Sequence, residues 1–193
     1  ITNSIIQILS DCILTKNINV SKLATFDIEY LFLNVRAKSV GETVEVNVTC
    51  PDDNKTSVQM EIAIDSIKVQ KTKGHKNIIK LDDQYSMKLK YPSMDEFVDN
   101  NFESDNENNV NKSLSMITNC IEMIYDEEES WSAADSTKQE LEEFIEQLNS
   151  KQFKSVEKFF ETMPKLSHKI KVKNPATGVE SEVVLEGLAS FFT

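Results

Sequence analysis

The sequence predicts an α+β fold with an antiparallel β module. Apolar residues recur at helical spacing near the N-terminus and alternate with polar residues from Thr43. They return to helical spacing after Pro92 and alternate again from His168. Runs of helices followed by runs of strands, without regular βαβ alternation, are typical of α+β proteins. We expect three hairpins, near residues 43–64, 67–91 and 168–186.

Two helices are predicted before the first strand. The first has a single apolar stripe, which places Cys12 in the core. The second, between Thr25 and Ser39, has two apolar stripes, one of which contains Tyr30 and Leu33. A helix that is apolar on two sides must be covered twice. Its own sheet supplies one cover, and either the first helix or another chain supplies the second.

The predicted strands are joined by recognisable turns. Pro51–Asn54 has the composition of a turn, because proline presets φ and Asp and Asn tolerate left-handed backbone. In the terminal hairpin, pairing Lys173 with Glu180 and Lys171 with Glu182 sets opposite charges across the two strands. A shift by one residue would lose these pairs, so we expect this register. We also expect this hairpin to pack on the first sheet.

The segment between these β parts is predicted to be helical. Ser93 and Glu96 have capping-box spacing and begin a helix that continues through Phe97, Val98 and Phe102. A loop at 99–112 and a second helix from Val110 to Ile124 follow. Capping-box spacing recurs at Ser136 and Gln139, and Pro164 ends a last helix. The predicted organisation is therefore N-terminal helices plus β module at 1–92, an acidic helical insertion at 93–166, and a C-terminal hairpin and tail at 167–193.

Charge is unevenly distributed along the chain, whose net charge is −11. Residues 93–166 hold 6 basic and 18 acidic residues, a net charge of −12, whereas residues 1–92 carry +1. Such a segment repels a phosphate backbone. Two interpretations of it stay open: a solvated helical surface, or a docking surface for a basic partner.

A lysine-rich stretch between Lys68 and Lys90 has the opposite charge. Only Asp82 and Asp83 oppose its charge, and no aromatic residue is interleaved until Tyr85 and Tyr91, which is a poor supply of rings for stacking on single-stranded nucleic acid. We interpret these lysines as edge-strand residues that discourage sheet aggregation. A zinc-ribbon-derived or nucleic-acid-binding accessory protein that uses the Lys68–Lys90 strands is the alternative.

Residue patterns for catalysis or cofactor binding are missing from the sequence. His75 and His168 lie in no arrangement of nucleophile and base, and the four glycines are too far apart for a phosphate loop. Cys50 and Pro51 resemble half of a zinc knuckle, but the cysteines that would complete it are missing. We therefore expect no enzyme, no cofactor and no metal. No apolar run reaches the roughly 20 residues of a membrane span.

Apolar residues in excess of a simple core indicate protein binding instead. Trp131 lies in an acidic stretch, and the chain closes with an apolar segment. The alternative is that all of this surface is internal core. The residues we expect to contact a partner are Tyr30, Leu33, Trp131, Leu188, Phe191 and Phe192.

One stretch of the chain carries a family resemblance. It comprises FDIEYLFLNVRAKSVGE at residues 26–42 and VEVNVTCP at residues 44–51. It resembles base plate proteins of T4-like bacteriophages, and most of all their hub assembly proteins; the closing GLASFF at 187–192 is similar to the end of their β module. The likeness covers residues 20–70 and, more loosely, 165–193.

The resemblance implies a non-enzymatic role in building the contractile tail. It implies other base plate or hub proteins as partners, in the host bacterial cytoplasm during assembly. Whether the protein stays in the finished base plate or leaves as an assembly chaperone is open, and so is self-association. Membranes and nucleic acid are not among the expected partners.

Overall fold

A computed structural model describes residues 2–94, 96 and 109–192, and it confirms the α+β class. The helices in those residues are α1 (Thr2–Cys12), α2 (Thr25–Ser39), α3 (Asn109–Asn119), α4 (Lys138–Glu146) and α5 (Ser150–Thr162). The strands are β1 (Thr43–Thr49), β2 (Ser57–Ala63), β3 (Lys68–Gln70), β4 (Ile78–Lys80), β5 (Ser86–Leu89), β6 (Ile121–Tyr125), β7 (Ser130–Ser132), β8 (Lys165–Lys173) and β9 (Glu180–Glu186). All of the strand pairs are antiparallel.

The chain divides into two compact units. The first contains Ile1–Val20, Phe26–Gln70 and Pro164–Thr193, and the second contains Ser21–Thr25 and Lys71–Met163. This corrects the predicted organisation, in which residues 71–92 belonged with the first β module. They belong to the second unit because β4 and β5 form one sheet with β6 and β7. The expected helical insertion therefore contains two strands.

Two hairpins and a helix build the core of the first unit. Strands β1 and β2 form a two-stranded sheet, and β3, β8 and β9 form a three-stranded sheet. The predicted register is confirmed, since Lys173 pairs with Glu180 and Lys171 with Glu182. The two sheets and α2 share one buried cluster that includes Leu33, Val46, Ile62, Val172 and Leu185. The C-terminal hairpin thus packs with the first sheet, as expected.

Helix α1 buries only part of its apolar stripe. Ile5 and Leu9 are 7% and 0% exposed, respectively, whereas Cys12 is exposed. The prediction that Cys12 is a core residue is wrong, because the helix ends at that residue and the buried stripe ends one turn earlier.

The second unit packs helices on one four-stranded sheet of order β4-β5-β6-β7. Its core includes Met87 and Ile124 from the sheet, Ile145 from α4, and Val156 and Phe159 from α5. The predicted helix from Val110 to Ile124 is wrong in its last five residues, because α3 ends at Asn119 and the chain continues as β6. A short apolar run does not by itself distinguish a helix from a strand, and the pairing of this run with β5, through a register shift between Lys88 and Leu89, makes it a strand.

Capping residues determine where the helices of this unit begin. Ser93 and Glu96 make both reciprocal hydrogen bonds of the predicted capping box, but Phe97, Val98 and Phe102 lie outside the described residues. The predicted loop at 99–112 lies mostly outside them too, and α3 already begins at Asn109. The next capping box is Thr137 with Glu140, one residue beyond the prediction. A further box, Asn149 with Gln152, begins α5 and was not predicted. No helix among the described residues has the length and apolarity to span a bilayer.

Candidate functional site

Five of the six expected partner-binding residues lie in the first unit. Leu33 is 1% exposed and Phe191 is 0% exposed, and both belong to the buried cluster of that unit. The prediction that these two contact a partner is wrong, because their side chains fill the core of their own chain. Tyr30 and Leu188 are partly buried against that cluster, whereas Phe192 is 43% exposed.

Phe192 is the centre of an aromatic surface that we call the α2–tail surface: Phe32, Arg36, Leu188 and Phe192. The ring of Phe192 meets that of Phe32 edge to face, with the centroids 6.1 Å apart. The Arg36 guanidinium lies over the Phe192 ring at 5.3 Å and donates a hydrogen bond to the Thr43 carbonyl at 3.1 Å. These contacts hold the exposed ring in a fixed position.

A partly buried carboxylate attaches the tail to α2. Glu29 Oε1 accepts a hydrogen bond from the Leu188 backbone N–H at 3.0 Å. Burial raises the pKa of Glu29, and the hydrogen bond from Leu188 opposes that rise. Gly187 precedes this contact with φ of 73°, a left-handed conformation that favours glycine. A Cβ at this position would lie 3.4 Å from Glu29 Oε1, so the approach is close.

Tyr30 contributes to the first unit in a different way. Its ring packs against the core cluster, and the Lys68 ammonium lies 6.0 Å from the ring centroid. The ring of Tyr30 thus already lies close to a cation of its own chain. Its expected role in binding a partner stays a prediction.

Trp131, the sixth expected residue, lies in the second unit on β7. It pairs with Ile124 of β6, and β7 is an edge strand of the sheet. Trp131 is 41% exposed and Tyr85 is 37% exposed, and their ring centroids are 6.1 Å apart. The structure therefore presents two neighbouring, half-exposed aromatic rings, of which the sequence analysis identified only one.

The turn that follows Cys50 holds a hydrogen-bonded clasp. Asn174 Nδ2 donates to both oxygens of Asp52 at 3.0 Å, and the Thr177 hydroxyl donates to Asp52 Oδ2 at 2.6 Å. These bonds lower the pKa of Asp52. Cys50 is 1% exposed, and burial raises the pKa of its thiol. Among the described residues, no group of three His, Cys, Asp or Glu side chains is arranged to hold a metal ion.

The lysine-rich stretch does not form one continuous basic strip. Three of its seven lysines make ion pairs: Lys80 with Asp83 at 2.9 Å, Lys88 with Glu122 at 2.7 Å, and Lys90 with Glu96 at 2.6 Å. Lys68 belongs to the first unit and the other six to the second. The charge that would attract a nucleic acid is therefore partly neutralised.

His75 forms a cluster that the sequence analysis missed. Its Nδ1 lies 2.9 Å from the Thr162 hydroxyl and its Nε2 lies 3.1 Å from the Tyr91 hydroxyl. Its ring is 5.2 Å from the Phe159 ring, centroid to centroid. Burial lowers the pKa of His75. Helical spacing within α5 places Phe159 and Thr162 on one side, but no signal in the sequence brings residue 75 to them.

Among the described residues, Phe192, Tyr85 and Trp131 carry exposed aromatic rings, and the polar clusters around Asp52, Ser93 and Thr137 hold turns and helix ends. The family model of T4 bacteriophage base plate proteins matches residues 1–193, the whole chain. The chain belongs to the T4 bacteriophage base plate protein family. Comparisons with curated proteins and with solved structures gave no match.

Proposed function

We propose that this base plate protein is a hub assembly or structural protein that acts by non-covalent binding to other tail proteins. The observation that carries the proposal is the α2–tail surface, an exposed aromatic ring held rigidly by its own chain. A ring fixed in advance loses little conformational freedom when a partner covers it. Aromatic residues, phenylalanine among them, and arginine are enriched in the cores of protein–protein interfaces.

The state of the ionisable groups supports a role without catalysis. The carboxylate of Asp53 accepts hydrogen bonds from Thr56 and from the backbone N–H groups of Lys55 and Thr56, which lower its pKa. Burial raises the pKa of the Cys120 thiol to about 12, so that it stays protonated at neutral pH. Asp53 and Cys120 thus contribute to local structure. This role is compatible with an assembly protein, which performs no catalysis.

The place of action follows from the same proposal. The protein binds its tail partners in the host bacterial cytoplasm during assembly, and it then either remains in the base plate or leaves. The described residues do not favour the two alternatives. Against a zinc ribbon, the turn after Cys50 is held by hydrogen bonds to Asp52. Against nucleic-acid binding, three of the seven lysines between Lys68 and Lys90 are paired with carboxylates.

The test replaces the exposed ring by a charge and keeps the core. Phe192→Glu is compared with Val184→Glu, which adds the same charge at a position that is 51% exposed on β9. Each variant is supplied in trans to a phage that lacks the wild-type gene. Hub intermediates and tails are then purified and this chain is quantified in each by mass spectrometry.

We expect wild type and Val184→Glu to co-purify with hub intermediates, and Phe192→Glu to be lost from them while it stays folded by circular dichroism. Normal recovery of Phe192→Glu in the hub fraction would contradict the role of the α2–tail surface. Recovery of the wild-type chain only with components outside the hub would contradict the hub assignment.

A further inference from the structure

The second unit carries another exposed aromatic feature, separate from the α2–tail surface. Register aligns Ile79, Met87, Ile124 and Trp131 across its four strands. The first three are 7%, 0% and 8% exposed, whereas Trp131, at the edge, is 41% exposed. The row of core residues thus ends in an indole ring that reaches solvent beside the Tyr85 ring.

The chain adjacent to this ring is strongly acidic. Glu127, Glu128 and Glu129 lie in the exposed turn between β6 and β7, and only Ser130 separates them from Trp131. The backbone N–H groups of Glu128 and Glu129 donate to Asp126 Oδ1 at 2.8 and 2.7 Å, which fixes the turn. Within the described part of the chain, none of these three glutamates pairs with a cation at salt-bridge distance.

Charge of one sign continues beyond the turn. Residues 126–146 contain nine acidic residues and a single lysine, a net charge of −8. That lysine, Lys138, is itself paired with Glu142 at 3.7 Å. The stretch of chain that contains Trp131 therefore carries a strong negative charge, which favours a partner of positive charge.

From these observations we infer that Tyr85 and Trp131 form a docking site for a segment of another tail protein that carries arginine or lysine. A guanidinium or ammonium group stacks on the indole, which is the most favourable ring for a cation–π contact. The glutamates of the turn then compensate the positive charge of the bound guanidinium or ammonium group. The glutamates repel an acidic segment or a nucleic acid. A second copy of this chain is disfavoured for the same reason, because it carries the same net charge of −11.

The inference rests on the proposed function in one respect, namely that the bound segment comes from another tail protein. The chemistry of the site can be tested on the purified chain alone. Trp131 is the single tryptophan of the chain, so its fluorescence reports on the site directly. The probes are three synthetic octapeptides in which glycine alternates with arginine, glutamine or glutamate. The protein variant is Glu127→Gln/Glu128→Gln/Glu129→Gln, and the matched control is Glu45→Gln/Glu61→Gln/Glu182→Gln, three exposed positions on β1, β2 and β9.

We expect the arginine peptide alone to change Trp131 fluorescence in a saturable way in the wild type and the control. Binding should be about tenfold weaker in the triple variant and should weaken with added salt. An equal response to the glutamine peptide, or a triple variant that binds as the wild type does, would overturn the inference. A response to the glutamate peptide would overturn it as well.

A second experiment identifies the source of the segment. A photo-reactive benzoylphenylalanine replaces Trp131 in phage-infected cells, and Val184 carries it as the control. We expect an adduct specific to position 131 with a lysine- or arginine-bearing peptide of a different tail protein. An adduct with a second copy of the chain overturns the inference and leaves the proposed function in place. If the substituted chain enters tails without an adduct, the peptide titration of the wild-type chain decides the inference. A wild-type chain that never enters tail intermediates contradicts the proposed function instead, and the peptide titration still decides the chemistry of the site.

Discussion

Phe191 and Phe192 are adjacent in the chain and have different environments. The short 3₁₀ turn Leu188–Phe191 directs Phe191 into the core, where it is fully buried, and leaves Phe192 on the surface beside Phe32. Truncating a buried phenylalanine costs about 3–5 kcal/mol of folding free energy. A variant that alters both residues would therefore confuse unfolding with loss of binding, and only Phe192 tests the surface.

His75 shows what a partly buried titratable group does to stability. The Thr162 hydroxyl donates to the Lys158 carbonyl, so its oxygen accepts from Nδ1–H of His75. Nε2 of the neutral ring is then the acceptor that faces the Tyr91 hydroxyl. The phenyl ring of Phe159 and the ring of Tyr91 pack beside it and offer no charge to a protonated imidazole.

This environment predicts how stability depends on pH. The native pKa of His75 lies below its usual value, whereas in the unfolded chain it is about 6.5. Below that pH the unfolded state binds the extra proton, so the free energy of unfolding falls as the pH decreases from 7.5 toward the native pKa. We expect urea unfolding to show a steeper loss between pH 7.5 and 5.5 in the wild type than in His75→Gln. Identical slopes in the two proteins would refute this account.

At the scale of elements, the C-terminal hairpin was the part most accessible from sequence. Lysines alternate with apolar residues in β8, and Glu180 and Glu182 lie on the facing strand. This pattern predicts the register, because a slip by one residue would expose Ile170 and Val172. The ion pairs themselves are diagonal: Lys169 lies 3.1 Å from Glu182, and Lys171 lies 3.9 Å from Glu180. Strand twist brings diagonal neighbours together, and no charge pattern in the sequence states that twist.

Other elements depended on contacts that are remote in the sequence. The run from Ile121 to Tyr125 fits helix and strand equally, and its pairing with β5, more than thirty positions away, makes it a strand. The α2–tail surface, too, depends on a contact between residues that are far apart in the sequence. The sequence identified α2 and the tail as apolar, but the contact of Glu29 with Leu188 decides which of their residues reach solvent.

The clasp between the two hairpin turns of the first unit can be tested through Asn174. Its side chain donates to Asp52, its Oδ1 accepts from the Ala176 N–H at 2.8 Å, and the residue is 0% exposed. Truncating the side chain deletes these hydrogen bonds, and each of them contributes about 0.5–1.5 kcal/mol to the free energy of unfolding. Urea unfolding should show this loss for Asn174→Ala and a much smaller one for Asn47→Ala, an exposed position on β1. Equal losses would mean that the clasp adds nothing.

At the scale of the whole molecule, the two units have separate cores. The buried cluster around Phe191 and the buried cluster around Phe159 share no residue. Each cluster stabilises the sheet that it covers, because burial of apolar area is the main favourable term in folding. Proteins built in this way open in parts, with different free energies for different segments.

Two core truncations should therefore have different regional effects on amide hydrogen exchange followed by mass spectrometry. Phe191→Ala should lower protection most in β1, β2, β8 and β9, because its side chain belongs to the cluster beneath those strands. Phe159→Ala should lower it most in β4, β5 and β6, and each truncation should cost about 3–5 kcal/mol in its own unit. Phe192→Ala is the control, since its ring is exposed and both protection patterns should persist. If either core variant lowers protection equally in all strands, the chain unfolds as one cooperative body and the two cores are not energetically separate.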